Sequence, residues 1–168
     1  MSQSYHSERR CFVLSITVKK SGIISGYILG DLRPETNAEV LIDGIPIPVN
    51  VALIDTGANV TVLSPLLYES EESSEQAELL SAHRSVKACT REGSLILGNN
   101  DIVLEHVEFL IADLEIFDAH DVQLVIGMDV ITAGRFLIER KGRLPHYTFS
   151  FSGIDRPVKP SVGIIYRR

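Results

Sequence analysis

The feature that most constrains this chain is a pair of apolar runs split by a polar tetrapeptide. Residues 51–54 read Val-Ala-Leu-Ile, then comes Asp55-Thr56-Gly57-Ala58, and Val60-Thr61-Val62-Leu63 resumes the apolar pattern. Short apolar runs of β-formers bounded by a glycine turn read as buried strands. A carboxylate at the end of such a strand is costly to bury without partners. Gly57 permits backbone geometry that a Cβ would oppose, and Thr56 brings a hydroxyl that both donates and accepts. The stretch therefore reads as a rigid loop that holds Asp55 in place. Asp-Thr-Gly alone is an ordinary turn sequence, so the weight of this reading rests on its flanks.

Upstream, Asp43-Gly44 is a two-residue hairpin signal between the runs 38–42 and 45–54. Pro46 and Pro48 put the start of the returning strand at an edge or a bend. Two earlier apolar runs, residues 11–18 and 23–29, are expected to pair as a hairpin across Lys19-Lys20-Ser21-Gly22. Residues 30–37 read as a loop or linker. Downstream, Ser64-Pro65 reads as a helix N-cap and first helical position. Glu69, Glu71, Glu72, Glu75 and Glu78 form an acidic run that reads as a solvated face or loop, and residues 76–82 as a short helix. Residues 85–89 and 94–97 read as short strands around the turn Thr90-Arg91-Glu92-Gly93. A long strand is expected over 102–112 and a short buried one over 123–126. Gly127 then leads into a helix over 128–133 that stops at Gly134. Asp129 in its first turn suits the helix dipole. Residues 135–140 and 146–151 are closing strands joined by a turn around Gly142.

The Asp55-Thr56-Gly57-Ala58 loop, followed by Val125-Ile126-Gly127-Met128-Asp129-Val130-Ile131, resembles the retropepsin-like aspartic proteases, the single-motif retroviral and retroelement type. The resemblance covers residues 38–152, leaving 1–37 as an N-terminal arm and 153–168 as a C-terminal tail. It implies a mainly β, closed barrel-like acid-protease fold with one or two short helices, functional as a C2 homodimer. It makes Asp55 catalytic and Thr56, Gly57 and Ala58 its supporting loop, with Thr56 bonding across the dimer. It places Thr90, Arg91, Glu92 and Gly93 at the tip of the flap that closes over a peptide, although this segment is poorer in glycine than the usual flap. Ala58 stands where the pepsin-like group often has Ser, which points to activity nearer neutral pH.

No second Asp-Thr-Gly or Asp-Ser-Gly occurs in the 168 residues. The chemistry of the family needs two carboxylates, so one motif per chain calls for two copies related by a two-fold axis. The expected activity is peptide-bond hydrolysis by water activated between the paired Asp55 carboxylates. The alternative is a catalytically silent domain of the same fold that dimerises or binds peptides. The interface is expected to use residues 146–151, where Tyr147, Phe149 and Phe151 share one face, together with one of the N-terminal runs.

Composition narrows the remaining choices. A net charge of −6 argues against a nucleic-acid surface. None of the five histidines pairs at a helical zinc spacing and no Cys-x-x-Cys occurs, so no metal or cofactor is expected. No Gly-x-Ser-x-Gly elbow is present. Cys11 and Cys89 are too few for a disulfide framework and read as free thiols. No run reaches the length of a spanning helix, and the polar N-terminus lacks a convincing signal sequence. The expectation is a soluble, cytoplasmic protein without a membrane partner.

Overall fold

A computed structural model of the chain describes residues 15–30, 33–68, 76–80, 85–153 and 157–158. Residues 1–14, Cys11 among them, most of the acidic run and nearly all of the C-terminal tail lie outside the described residues.

The first two strands among the described residues, β1 (Ile16–Lys20) and β2 (Gly22–Tyr27), do not pair with each other. The hairpin begins with β3 (Glu35–Ile42) and β4 (Ile45–Ile54). Asp43 and Gly44 both take positive φ, 52° and 77°, as a tight hairpin turn requires. Pro46 and Pro48 fall on the outer half of β4, which has β3 on one side and, among the described residues, no strand on the other. Their missing N–H groups therefore cost no ladder bonds.

β5 (Val62–Leu63) follows the Asp55 loop, then come β6 (Gln76–Leu80), β7 (Ser85–Leu97) and β8 (Ile102–Ala112). After α1 (Glu115–His120) the chain forms β9 (Leu124–Ile126) and α2 (Met128–Ile131). It ends in β10 (Arg135–Lys141), β11 (Leu144–Phe151) and β12 (Pro157–Val158). Six strands close a ring in the order β8-β5-β9-β4-β3-β7 and back to β8. The ring is mixed: β4 and β9 are parallel, as are β5 and β8, and the other pairs are antiparallel. Ile42, Leu95, Leu97, Ile102, Leu104 and Phe109 are fully buried in its core. A second apolar cluster packs Phe117 of α1 with Leu53, Val62, Leu110 and Val125. The mainly β barrel with two short helices is the fold class expected from the sequence.

Several local expectations are overturned. β1 pairs with β8 and β12, and β2 with β11, because each apolar run finds a longer-range partner. Ser64-Pro65 opens only a turn, closed by Leu67 N–H donating to Ser64 O at 3.1 Å. Residues 76–80 are a strand, not a helix, paired with residues 85–89 of β7.

Thr90, Arg91, Glu92 and Gly93 are not a hairpin tip. They lie inside β7, opposite Leu110, Phe109, Glu108 and Val107 of β8. Gly93 marks a crowded crossing. Here β7 exchanges β6 for β3 as its neighbour, and a Cβ on Gly93 would lie 2.3 Å from Leu41 O. The ladder shifts register just beyond it, opposite His106 at φ 60°.

β11 is the middle strand of a three-stranded sheet, β10-β11-β2, rather than an inter-subunit strand. Its aromatic face, Tyr147, Phe149 and Phe151, is buried in this chain's own core. Phe149 meets Phe136 edge-on at 5.6 Å between centroids, and the Tyr147 hydroxyl donates to Glu35 O at 2.7 Å. Phe149→Ala should therefore cost about 3–5 kcal/mol, while Tyr147→Phe should cost about 1 kcal/mol for one hydrogen bond. Urea unfolding midpoints of the two variants measure that ranking.

Candidate active site

Asp55 follows the last residue of β4 and is half-buried, while Thr56 and Gly57 are exposed. The Asp55 N–H donates to Ile126 O at 3.0 Å, which ties the loop to the end of β9. Gly57 N–H donates to Asp55 Oδ1 at 2.8 Å, and Ala58 N–H donates to Asp55 O at 3.2 Å. The loop thus folds back on its own carboxylate and fixes that side chain's orientation. Gly57 earns its place through proximity: a Cβ there would lie 3.1 Å from Asp55 Oδ1.

A second set of contacts fixes the loop from below. Met128 N–H donates to Ala58 O at 2.8 Å and Asp129 N–H to Asn59 O at 3.3 Å. Gly127 lies against the backbone of Val60, where a Cβ would stand 2.4 Å from the carbonyl oxygen. No other residue fits that contact without displacing the loop. The Gly127 N–H donates to Thr61 Oγ1 at 3.1 Å, and the Thr61 hydroxyl donates onward to Asp129 Oδ1 at 2.8 Å. Thr61 N–H meets Asp129 Oδ2 at 2.9 Å, and Val130 N–H meets Oδ1 at 2.9 Å. Thr61, Gly127 and Asp129 are all buried.

The structure therefore brings Asp55, Gly57 and Ala58 together with the second motif, Val125-Ile126-Gly127. It leaves Thr90, Arg91, Glu92 and Gly93 in a different setting. Arg91 Nε donates to the Tyr68 hydroxyl at 3.3 Å, which donates to Asp43 Oδ2 at 2.9 Å. Glu92 is exposed and pairs with His106 Nδ1 at 2.8 Å. Sequence reasoning missed Thr61 and gave Asp129 only a helix-dipole role. The signal was there: an Asp among Val, Ile and Met, and a Thr among Val and Leu, each need a polar partner once buried. A helix-dipole role for Asp129 is minor beside three hydrogen bonds. Among the described residues, no group of His, Cys, Asp and Glu stands together as a metal site would require. No described helix is long and apolar enough to cross a membrane.

No protein-family model matches the chain, and no curated protein matches it. A solved structure does: a retropepsin-like aspartic protease from Rickettsia conorii, 17% identical, with a TM-score of 0.54. The match covers 82% of this chain and 94% of that one. The fold is retropepsin-like.

Burial pushes the Asp129 carboxyl above the usual aspartate range, against the opposing pull of the bonds from Thr61 and Val130. Such a group holds its proton more tightly folded than unfolded. Its contribution to stability is complete below the unfolded value and is lost as pH rises through the folded one. Asp129→Asn should flatten that decline with rising pH in urea-unfolding curves taken across a pH series. Asp129→Ala strands the Thr61 N–H and hydroxyl and should cost about 2–4 kcal/mol at acid pH, and less as pH rises.

Proposed function

We propose that the protein is an aspartic endopeptidase that acts as a homodimer, with one Asp55 from each copy. The observation that carries this reading is the doubly braced Asp55 loop. Its carboxylate accepts the Gly57 N–H, and its backbone is held by Ile126 and by the Thr61–Asp129 bridge. A surface turn has no need of such bracing. The likeness to the Rickettsia enzyme supports the reading through the fold alone.

The chemistry follows from two such carboxylates facing each other. Like charges in contact do not both ionise cheaply, so the pair holds one proton between them. The ionised member takes a proton from a bound water as the water oxygen bonds to the scissile carbonyl carbon. The protonated member gives its proton to the carbonyl oxygen. Collapse of the tetrahedral diol breaks the C–N bond, the nitrogen leaves with a proton, and no acyl-enzyme forms. In this scheme Thr56, exposed beside Asp55, reaches toward the partner's loop.

This proposal assigns the flap to a different pair of strands. The hairpin of β6 and residues 85–89 of β7 stands between the Asp55 loop and β8 in chain order, and it takes the flap's role in this proposal. The reaction needs no metal or cofactor, and its partners are a peptide or protein substrate and a second copy.

Asp55→Asn should abolish cleavage of a mixed peptide pool while leaving thermal unfolding and the dimer unchanged. Cleavage by the wild type should also stop on adding a statine-type transition-state mimic. Specific activity should fall on dilution through the dimer dissociation constant. Cleavage retained by purified Asp55→Asn protein overturns the protease reading. A wild-type dimer that cleaves nothing favours the silent peptide-binding or dimerisation module instead.

A further inference from the structure

The outer face of the sheet β10-β11-β2 is apolar, with a basic rim at one end. Alternation divides the sheet in two. Tyr147, Phe149 and Phe151 of β11 and Ile24 of β2 turn inward and are buried. On the outward side of β2, and just beyond it, stand Ile23, Tyr27 and Leu29, which are 65%, 56% and 64% exposed. Buried Ile28 lies between the last two, and its N–H donates to Pro145 O at 2.9 Å, which brings Leu29 beside Leu144 of β11. Leu144 and Leu137 of β10 share that outward side, 43% and 42% exposed. Five of the eight large apolar side chains exposed among the described residues thus lie on one face. Exposed apolar side chains that cluster mark interaction sites, whereas scattered ones carry no message.

Charge is placed as unevenly. Residues 135–168 hold eight of the chain's 16 Lys and Arg and two of its 22 Asp and Glu. A protein of net charge −6 therefore has a cationic C-terminal stretch. Asymmetry of this kind points to an anionic partner. Arg135, Arg140, Lys141 and Arg143 lie on the β10–β11 hairpin, all exposed. The last three surround Gly142, where a Cβ would meet nothing within 4 Å, so the turn stands out into solvent. Among the described residues, the ion pair at this tip joins Lys141 to Glu139 at 3.6 Å, which leaves the charges of Arg140 and Arg143 in excess.

We infer that this hairpin tip and the face behind it dock on an anionic lipid surface. The cations meet the headgroups, and Tyr27, Leu29 and Leu144 enter the boundary between headgroups and acyl chains. A ring with a hydroxyl suits that boundary, and Tyr27 packs against His146, edge-on at 5.1 Å between centroids. The shape favours lipid over peptide. Peptides bind in grooves or along sheet edges. These side chains instead spread over three strands, and the positions between them are the small Ser25, Thr148 and Ser150. Apolar insertion and basic charge act together, because one weak anchor alone binds membranes only marginally. A surface contact of this kind needs no spanning helix. It also stands apart from the protease reading, since none of its residues belongs to the Asp55 loop or its supports.

The test is vesicle binding by the full chain, on phosphatidylcholine alone and on phosphatidylcholine mixed with phosphatidylserine. Binding should be roughly tenfold or more tighter on the anionic vesicles. It should fall away in 1 M salt, where charges are screened within about 3 Å. Arg140→Glu and Arg143→Glu should each weaken it roughly fivefold or more. Lys87→Glu on β7, with the same change of net charge, should not. Asp55→Asn should bind as the wild type does, whether or not the wild type cleaves peptide. The chain has no tryptophan, so Leu144→Trp places a single reporter at the tip. Its emission should shift to the blue on anionic vesicles, while that of Leu66→Trp, at an 87% exposed position outside this face, should stay. Equal binding to both kinds of vesicle, binding unmoved by both arginine reversals, or equal shifts at 144 and 66 would overturn the inference. So would a protein that ignores both vesicles and binds polyglutamate through the same arginines, which would make the face a seat for an acidic protein segment.

Discussion

Thr61 and Asp129 are 68 positions apart in the chain, and the bridge between them governs the geometry of everything around Asp55. Asp129 accepts two bonds from Thr61 and one from Val130, and the Thr61 hydroxyl is itself an acceptor for Gly127. Buried polar networks are stabilising when every member is satisfied and costly when one is missing. This one is satisfied at each donor named, within a shell of Val and Ile. It fixes the distance between the chain that leaves the Asp55 loop, just before β5, and the helix that lies beneath it. The apolar barrel supplies cohesion. The polar bridge sets position, and position is what a pair of carboxylates would need.

Much of the fold was legible because its signals are local. Asp43-Gly44 set a hairpin, residues 102–112 read as the long strand that became β8, and Val125-Ile126-Gly127 marked a strand ending on a helix. Asp55, Gly57 and Ala58 were legible as a unit for the same reason. The failures share a different cause. Gly93 carries the same residue signal whether it serves a turn or a close crossing of two strands, and only the distance to Leu41 separates the two. Gly134 was read as a helix stop, yet it is needed because β11 passes so near. The alternation in residues 146–151 is equal for an edge strand and a central one, so the pattern named the buried face but not the neighbours. α1 was missed because six residues are too few to display a helical period.

The relocation of β11 to the interior changes how the rest of the molecule is read. A strand with partners on both sides has no free backbone groups to offer a second copy. Among the described residues, the two outer strands of that sheet keep backbone groups on one side unpaired, and each carries exposed apolar side chains. Ile23 and Tyr27 lie on β2, and Leu137 and Ile138 on β10. The two edges of one small sheet thus differ in character. One is glycine-containing and uncharged, and the other is flanked by both signs of charge.

The parallel pairs β4·β9 and β5·β8 carry a cost in time. Parallel strands require long crossovers, and chains dominated by contacts between distant residues fold slowly, because loop closure precedes any reward. The Asp55 loop is an extreme case, since the groups beneath it come from Ile126 to Val130. During synthesis at ~5–20 residues per second, on the order of 4–15 s separate the making of Asp55 from the making of its support. Throughout that interval the carboxylate is an ordinary side chain on an unanchored turn. The order of residues along the chain thus acts as a timer, and the loop acquires its fixed shape only after most of the barrel has left the ribosome.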